Sequence, residues 1–260
     1  MKKIYFCGIL FALLISCNYV EILEEPVLKT KAGGVESLNF RYDGTEYYSE
    51  YYFLEDSTVV YMDENVERLL FKLKNNQQLA MYVYPDNTIE YFDSYEIMSA
   101  HLDKMAQSPL SRVISAIGYK MMTSASLTIY HKDNGGGDQA SFTLNSTKTS
   151  VERSTFIGKD EKGIYWNDRM SSLSMACEYT LIDMPDYPVH VSGNIATYTL
   201  FEHTEYGGRS ISFSISPTIP PFFANLKNYK MPPIVGSTND NWNDKGSSSK
   251  FIYYPLKVGQ

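Results

Sequence analysis

The chain has 260 residues and a formal net charge of −7, and it contains 22 tyrosines and 13 phenylalanines. An acidic chain without a basic cluster argues against binding to nucleic acid and against electrostatic docking on anionic lipid. The many aromatic residues favour β-sheet, and the length suits two domains of ordinary size.

Residues 1–16 have the pattern of a secretory signal peptide. Two lysines precede a short apolar run, Ile4–Ile15, which falls below the ~20 apolar residues that a membrane-spanning helix needs. The run ends at residues 14–17 in Leu-Ile-Ser-Cys, which resembles a bacterial lipobox. The resemblance implies that Cys17 is lipidated and that the protein is anchored in the bacterial cell envelope, at the outer membrane. An ordinary signal peptide with an incidental cysteine is the alternative.

The three cysteines agree with an exported protein that has no internal disulfide. Of the three cysteines, Cys7 is expected to be removed with the signal peptide and Cys17 to carry lipid, which would leave Cys177 without a partner. Core burial, with or without a metal, must then stabilise the mature chain. Cys177 lies in a strand-like stretch and is predicted to be a buried, inert thiol.

Residues 17–35 and 36–122 are predicted to be a tether and a small α+β domain of unknown role. In the latter, alternating apolar residues lead to Asp43-Gly44, a dipeptide favoured in two-residue hairpin turns. A second hairpin is predicted around Pro85-Asp86-Asn87. No pattern of catalytic residues occurs in this part of the chain.

Two helices are predicted within the α+β domain. Asp63 is suited to cap the first, whose apolar residues recur at spacings of three and four. Asp93 and Glu96 are predicted to form a capping box for the second. The following segment, 105–122, is predicted to be helical or irregular, with a domain boundary near Thr123.

Residues 123–257 have short strand-like segments between clusters of turn residues, which predicts an all-β sandwich. An internal repeat lies within this region: Trp166–Ser172 recurs as Trp242–Ser248, with six of seven positions matching if Arg and Lys are equated. A hairpin-like segment precedes each copy, Tyr130–Gly137 before the first and Phe201–Gly208 before the second.

The two kinds of segment together resemble the microbial calcium-binding branch of the βγ-crystallin superfamily. Its hairpin signature is aromatic, four residues, aromatic, any residue, glycine, and its calcium motif is Asn/Asp-Asn/Asp-x-x-Ser/Thr-Ser. The resemblance covers about half of the chain and implies a Greek-key sandwich behind the α+β domain. It also implies calcium as a bound ion.

Calcium takes six to eight oxygen ligands, more than one such loop offers, so paired loops would each give ligands to both sites. In the family pattern the second acidic position gives a side-chain oxygen, the next residue a carbonyl and the first serine its hydroxyl. The implied ligands are Asp168, Arg169 and Ser171 in one loop, Asp244, Lys245 and Ser247 in the other, and hairpin carbonyls near His131 and Glu202. The leading Asn167 and Asn243 are expected to brace the loops. With about one carboxylate per site, the expected dissociation constants are ~10⁻⁴–10⁻³ M.

The chain departs from the family pattern at three places. Gly135 replaces the second aromatic of the first hairpin, Ser249 replaces an apolar residue, and a proline-rich insertion covers 217–233. The alternative to calcium binding is that the loops only brace the corners of the sandwich through hydrogen bonds.

The sequence predicts a non-catalytic protein. It has no HExxH, GxSxG or phosphate-loop pattern. Two other functions stay open: inhibition of an extracellular peptidase through the proline-rich insertion, and carbohydrate binding through the pairs Tyr47-Tyr48 and Tyr51-Tyr52.

Overall fold

The computed structural model of the protein describes residues 31–107, 110–112, 119–156, 163–183, 189–230 and 240–259. The predicted signal peptide, the predicted lipidation site Cys17 and most of the predicted tether lie outside these residues. Within these described residues the protein is mostly β-sheet, with 49% of them in strands. Within the described ranges, no helix combines the length and hydrophobicity needed to cross a membrane.

The N-terminal part contains five strands and two helices. The strands are β1 Lys31–Tyr42, β2 Thr45–Leu54, β3 Val59–Tyr61, β4 Ala80–Val83 and β5 Ile89–Phe92, and the helices are α1 Glu64–Lys74 and α2 Tyr95–Gln107. The first predicted hairpin is confirmed, since Asp43 and Gly44 have φ of 49° and 76° in the β1–β2 turn. The predicted tether is too long at its C-terminal end. Its last residues belong to β1, because the long strand β2 offers pairing partners as far back as Lys31.

The first helix begins as predicted, and the second begins one residue later than its predicted cap. Asp63 Oδ1 accepts hydrogen bonds from the backbone of α1 at 2.8 and 3.3 Å. At α2, Ser94 Oγ accepts from the Ile97 amide at 3.4 Å. The predicted capping box at Asp93 is therefore wrong, because the Asp93 carboxylate instead bonds Tyr42 and Lys72.

In its described residues, the C-terminal part consists of strands joined by turns and by three short 3-10 helices, Asp133–Gly135, Thr204–Tyr206 and Leu226–Asn228. The strands are β6 Leu110–Arg112, β7 Tyr119–Tyr130, β8 Gln139–Asn145, β9 Ser150–Arg153, β10 Ser172–Ile182, β11 Val189–Ser192, β12 Ile195–Phe201, β13 Ser210–Ile215, β14 Phe222–Asn225, β15 Ser248–Tyr254 and β16 Lys257–Gly259. The segment 105–122 was predicted to be helical or irregular, but its last residues are strand, and the predicted boundary at Thr123 falls inside β7. Antiparallel pairing with β10 extends β7 back to Tyr119.

The strands form three sheets. In each copy of the repeat, one strand pairs in the sheet of the other copy. A four-stranded sheet has the order β14-β10-β7-β8, and a nine-stranded sheet ends in β13-β12-β15-β9. Thus β9 leaves β8 to pair with β15, and β14 leaves β13 to pair with β10. Apolar side chains from the facing strands, including Leu127, Leu173, Tyr198, Phe213 and Phe251, share one buried core.

The N-terminal strands continue the larger sheet. Its full order is β3-β2-β1-β5-β4-β13-β12-β15-β9, with parallel pairing between β4 and β13. Residues of both parts lie in the same core cluster, among them Leu70 of α1 and Phe213 of β13. The α+β part is thus joined to the strand-rich part by backbone hydrogen bonds and by shared burial. The third sheet, β16-β11-β6, is small.

Candidate metal centre

The two copies of the repeat form loops that bond to each other. The Asp168 amide donates to the carbonyl of Gly246, and the Asp244 amide donates to the carbonyl of Met170, both at 3.0 Å. Asp168 and Asp244 both have positive φ, 49° and 55°. The loops are therefore related by an approximate twofold symmetry, with the same bond made in both directions.

The leading asparagines brace these loops, as the sequence predicted. Asn167 Nδ2 donates to Asp168 Oδ2 at 2.6 Å, and Asn243 Nδ2 donates to Asp244 Oδ2 at 2.7 Å. Each asparagine thus bonds to Oδ2 of the neighbouring aspartate. Oδ1 of each aspartate remains available for contacts with the other loop.

The second serine of each pair ties its own hairpin to the loop. Ser172 Oγ donates to the Lys132 carbonyl at 2.7 Å, and Ser248 Oγ donates to the His203 carbonyl at 2.6 Å. Both side chains are fully buried. Gly137 and Gly208 close the hairpins with φ of 78° and 76°, as their place in the hairpin signature predicted.

The first serine of each pair reaches the aspartate of the other copy. Ser171 Oγ lies 2.8 Å from the His131 carbonyl oxygen and 3.1 Å from Asp244 Oδ1, and we call these three atoms the first oxygen cluster. Ser247 Oγ lies 3.4 Å from Asp168 Oδ1, and these two atoms are the second oxygen cluster. Each cluster therefore combines oxygens from both copies of the repeat.

The remaining predicted ligands are the backbone carbonyls of Glu202, Arg169 and Lys245. The Ser247 amide donates to the Phe201 carbonyl at 2.9 Å, as the Ser171 amide does to that of Tyr130 at 3.0 Å. Glu202 comes directly after Phe201, so its carbonyl corresponds to that of His131 in the first cluster. The carbonyls of Arg169 and Lys245 belong to the residues directly after the two aspartates.

The donor chemistry fits a hard cation with few charged ligands. Ligand oxygens at 2.3–2.6 Å from calcium and next to one another on its surface are separated by roughly 2.8–3.6 Å, and the clusters show 2.8, 3.1 and 3.4 Å. Asp168 and Asp244 are exposed, so water can supply further oxygens. Among the described residues, no three His, Cys, Asp or Glu side chains converge as a metal site. A site of one carboxylate, one hydroxyl and carbonyls does not require such a group.

An ion pair distinguishes the second hairpin from the first. Arg209 binds the Glu202 carboxylate through Nε at 2.9 Å and through Nη2 at 2.7 Å, and its Nη1 lies 3.3 Å from Asp240. Burial raises the pKa of the Glu202 carboxyl, but bonding to Arg209 outweighs burial and holds the pKa below its ordinary value of 4.5. The Glu202 side chain is thus committed to Arg209, and only its carbonyl remains for a metal.

We expect Arg209→Gln to destabilise the protein by roughly 1–3 kcal/mol at pH 7, because it leaves a mostly buried carboxylate without its partner. A carboxyl whose folded-state pKa is depressed stabilises the fold above its unfolded pKa and loses that contribution as the pH falls through the folded value. The difference between wild type and variant should therefore shrink below about pH 4.5. Urea unfolding at pH 7 and pH 3.5 measures this stability difference.

The control variant is Arg68→Gln, which removes an exposed pair with Glu64 and should reduce stability by at most ~0.5 kcal/mol. A pH-independent difference for Arg209→Gln would contradict the assignment.

A distant aromatic residue compensates for the missing one in the first hairpin. In the second hairpin Phe201 and Tyr206 are in edge contact, with ring centroids 5.5 Å apart. In the first, the Phe223 ring from β14 lies 5.9 Å from that of Tyr130, and its Cε2 lies 3.4 Å from the position that a Cβ atom on Gly135 would take. The departure at Gly135 is therefore filled by another strand, a contact for which the sequence carries no local signal.

The other candidate residues are less informative. Cys177 is only partly buried, and burial raises the pKa of its thiol. Of the tyrosine pairs, Tyr48 is 57% exposed whereas Tyr51 is 6% exposed, the alternation of an ordinary strand. The last residues of the proline-rich insertion, 231–233, lie outside the described residues.

Comparisons of the chain with protein-family models, with curated proteins and with solved structures find no match.

Proposed function

We propose that this protein is a non-catalytic, calcium-binding lipoprotein of the bacterial cell envelope, with a strand-rich part that belongs to the βγ-crystallin superfamily. The observation that carries the proposal is the crossed pairing of Ser171 with Asp244 and of Ser247 with Asp168. Two copies of one motif, each completed by the carboxylate of the other, are what shared calcium ligation requires.

The strand exchange supports the Greek-key part of the proposal. In each repeat three strands stay in one sheet while the third in chain order, β9 or β14, crosses to the other sheet. The envelope location rests on the sequence of residues 1–17 alone. A lipid on Cys17 would anchor the chain firmly only with more than one acyl chain.

Calcium would act mainly on stability. The residues that would hold it are Ser171, Asp244 and the His131 carbonyl in the first cluster, with Ser247 and Asp168 in the second. An ion in either cluster would bridge loops that are more than seventy residues apart in the chain. Because the ion binds the folded state and not the unfolded chain, it stabilises by about 2.7 kcal/mol per site at 100 times the dissociation constant.

Thermal unfolding of residues 18–260 in EDTA and in 0.01–10 mM calcium tests the proposal. We expect calcium to raise the midpoint by several degrees, at ~2–4 °C per kcal/mol for a chain of this size. Asp168→Asn and Asp244→Asn should each reduce that shift by about half, because each removes the carboxylate of one site.

Asp86→Asn is the matched control, since Asp86 caps the β4–β5 turn through the Thr88 amide and lies outside both clusters. It should keep the full calcium response. A midpoint that does not respond to calcium would rule out the metal sites and leave the loops as hydrogen-bonded corners.

A further inference from the structure

The first oxygen cluster borders an open cleft of about 680 Å³. Lys132 and Lys227 line it together with the amide side chains of Asn241 and Asn243, and Ser171 of the first oxygen cluster also lines it. The cleft is therefore a polar surface with hydrogen-bond donors on several sides, directly beside a candidate cation site.

The charges around the cleft favour an anion. The acidic side chain that lines it, Asp133, is paired with Lys227, which leaves Lys132 as a surplus positive charge. Arg169, whose Nη2 lies 2.8 Å from His131 Nδ1, is paired with Asp138 at 3.6 Å and so adds no net charge.

A calcium ion in the first cluster would add two positive charges, of which the Asp244 carboxylate offsets one. The first oxygen cluster supplies three protein oxygens, whereas calcium takes six to eight. Coordination positions on the ion therefore remain for oxygens of a ligand.

The surroundings of the second cluster are more acidic. Glu202 and Asp240 both face Arg209, so that group carries a net negative charge. An anionic ligand should therefore prefer the first cluster. This difference cannot be read from the repeat, in which the two motifs look equivalent.

The amide side chains in the cleft wall suit hydroxyl groups. Asn241 and Asn243 each carry an amide nitrogen that can donate and an amide oxygen that can accept a hydrogen bond. Such groups can hydrogen-bond to the hydroxyl groups of a sugar.

We propose that this cleft binds an acidic saccharide, a sugar that carries a carboxylate, with calcium in the first oxygen cluster as part of the binding site. The carboxylate would bind calcium and the lysines, and the hydroxyl groups would bind Asn241 and Asn243. The inference rests on the proposed function, because it needs calcium at the first cluster.

Ligand-observed NMR on residues 18–260 tests the inference, with D-galacturonate as the probe and D-galactose as the matched neutral sugar. We expect saturation transfer to galacturonate in 10 mM calcium, and none in EDTA or to galactose. Equal signals from the two sugars, or binding that persists in EDTA, would overturn the proposal. sn-Glycerol 3-phosphate forms a third arm, and binding of this phosphate instead of galacturonate would overturn the saccharide assignment.

Variants test calcium binding and saccharide binding separately. Asp244→Asn should abolish galacturonate binding and Asp168→Asn should retain it. Lys132→Gln, which removes the surplus positive charge of the cleft, should weaken it roughly tenfold, as loss of a charge-assisted hydrogen bond does. Lys148→Gln, in the exposed turn after β8, should leave it unchanged. If calcium raises the unfolding midpoint but galacturonate does not bind, only the saccharide inference fails. If calcium has no effect, the proposed function fails as well.

Discussion

Gly193→Ala is expected to destabilise the protein by roughly 2–5 kcal/mol. Gly193 lies in the turn between β11 and β12 with φ of 78°, a conformation that costs an L-residue ~1–2 kcal/mol. A Cβ atom there would also lie 2.1 Å from the Pro255 carbonyl oxygen, so the backbone would have to move.

The movement would disturb a buried junction. The next residue, Asn194, accepts a hydrogen bond from the Met122 amide at 2.6 Å and donates to the Lys120 carbonyl at 2.8 Å. Its own amide donates to the Tyr254 carbonyl at 2.7 Å. The turn therefore links the start of β7 to the end of β15, and its displacement would weaken the contact between the two sheets.

Gly44→Ala is the matched control for this prediction. Gly44 has nearly the same φ, 76°, but no atom lies within 4 Å of the Cβ position. Only the conformational cost of about 1–2 kcal/mol should therefore appear. Chemical denaturation of both variants measures the difference, and equal losses of stability would show that the contact with Pro255 has no part in the effect.

Trp242→Ala is expected to cost about 3–5 kcal/mol, the usual range for removing a large buried aromatic side chain. Trp242 begins the second repeat and is 1% exposed, in a core shared with Leu79, Met81 and Tyr91 of the N-terminal part. The cavity would therefore open where the α+β part meets the strand-rich part.

Trp242→Phe separates packing from hydrogen bonding. Within the described residues, the Trp242 indole nitrogen has no hydrogen-bond partner, so replacement by Phe removes a buried donor whose desolvation is not compensated. We expect Trp242→Phe to cost less than half as much as Trp242→Ala in urea unfolding. Tyr48→Ala, at an exposed position of β2, should stay within about 0.5 kcal/mol. Equal losses for the Phe and Ala variants would contradict a packing role.

The local features were predictable because neighbouring residues decide them. Asp43-Gly44 has the positive φ values that its residue types favour in a two-residue turn, and Asp63 caps α1 through amides two and three residues away. The predicted helix cap at Asp93 was wrong for a nonlocal reason. The Tyr42 hydroxyl, 51 residues away in the chain, donates a hydrogen bond to the Asp93 carboxylate. The repeat likewise indicated that both loops would share one geometry.

Only the tertiary structure shows which residues the two repeat loops contact. The sequence by itself determined that two equivalent motifs exist, each with a carboxylate and a serine suited to a hard cation. It did not determine that Ser171 meets Asp244, 73 residues away, that Phe223 fills the corner at Gly135, or that β4 pairs with β13. Contacts between residues so far apart depend on how whole sheets pack, and such packing leaves no pattern in a short stretch of sequence.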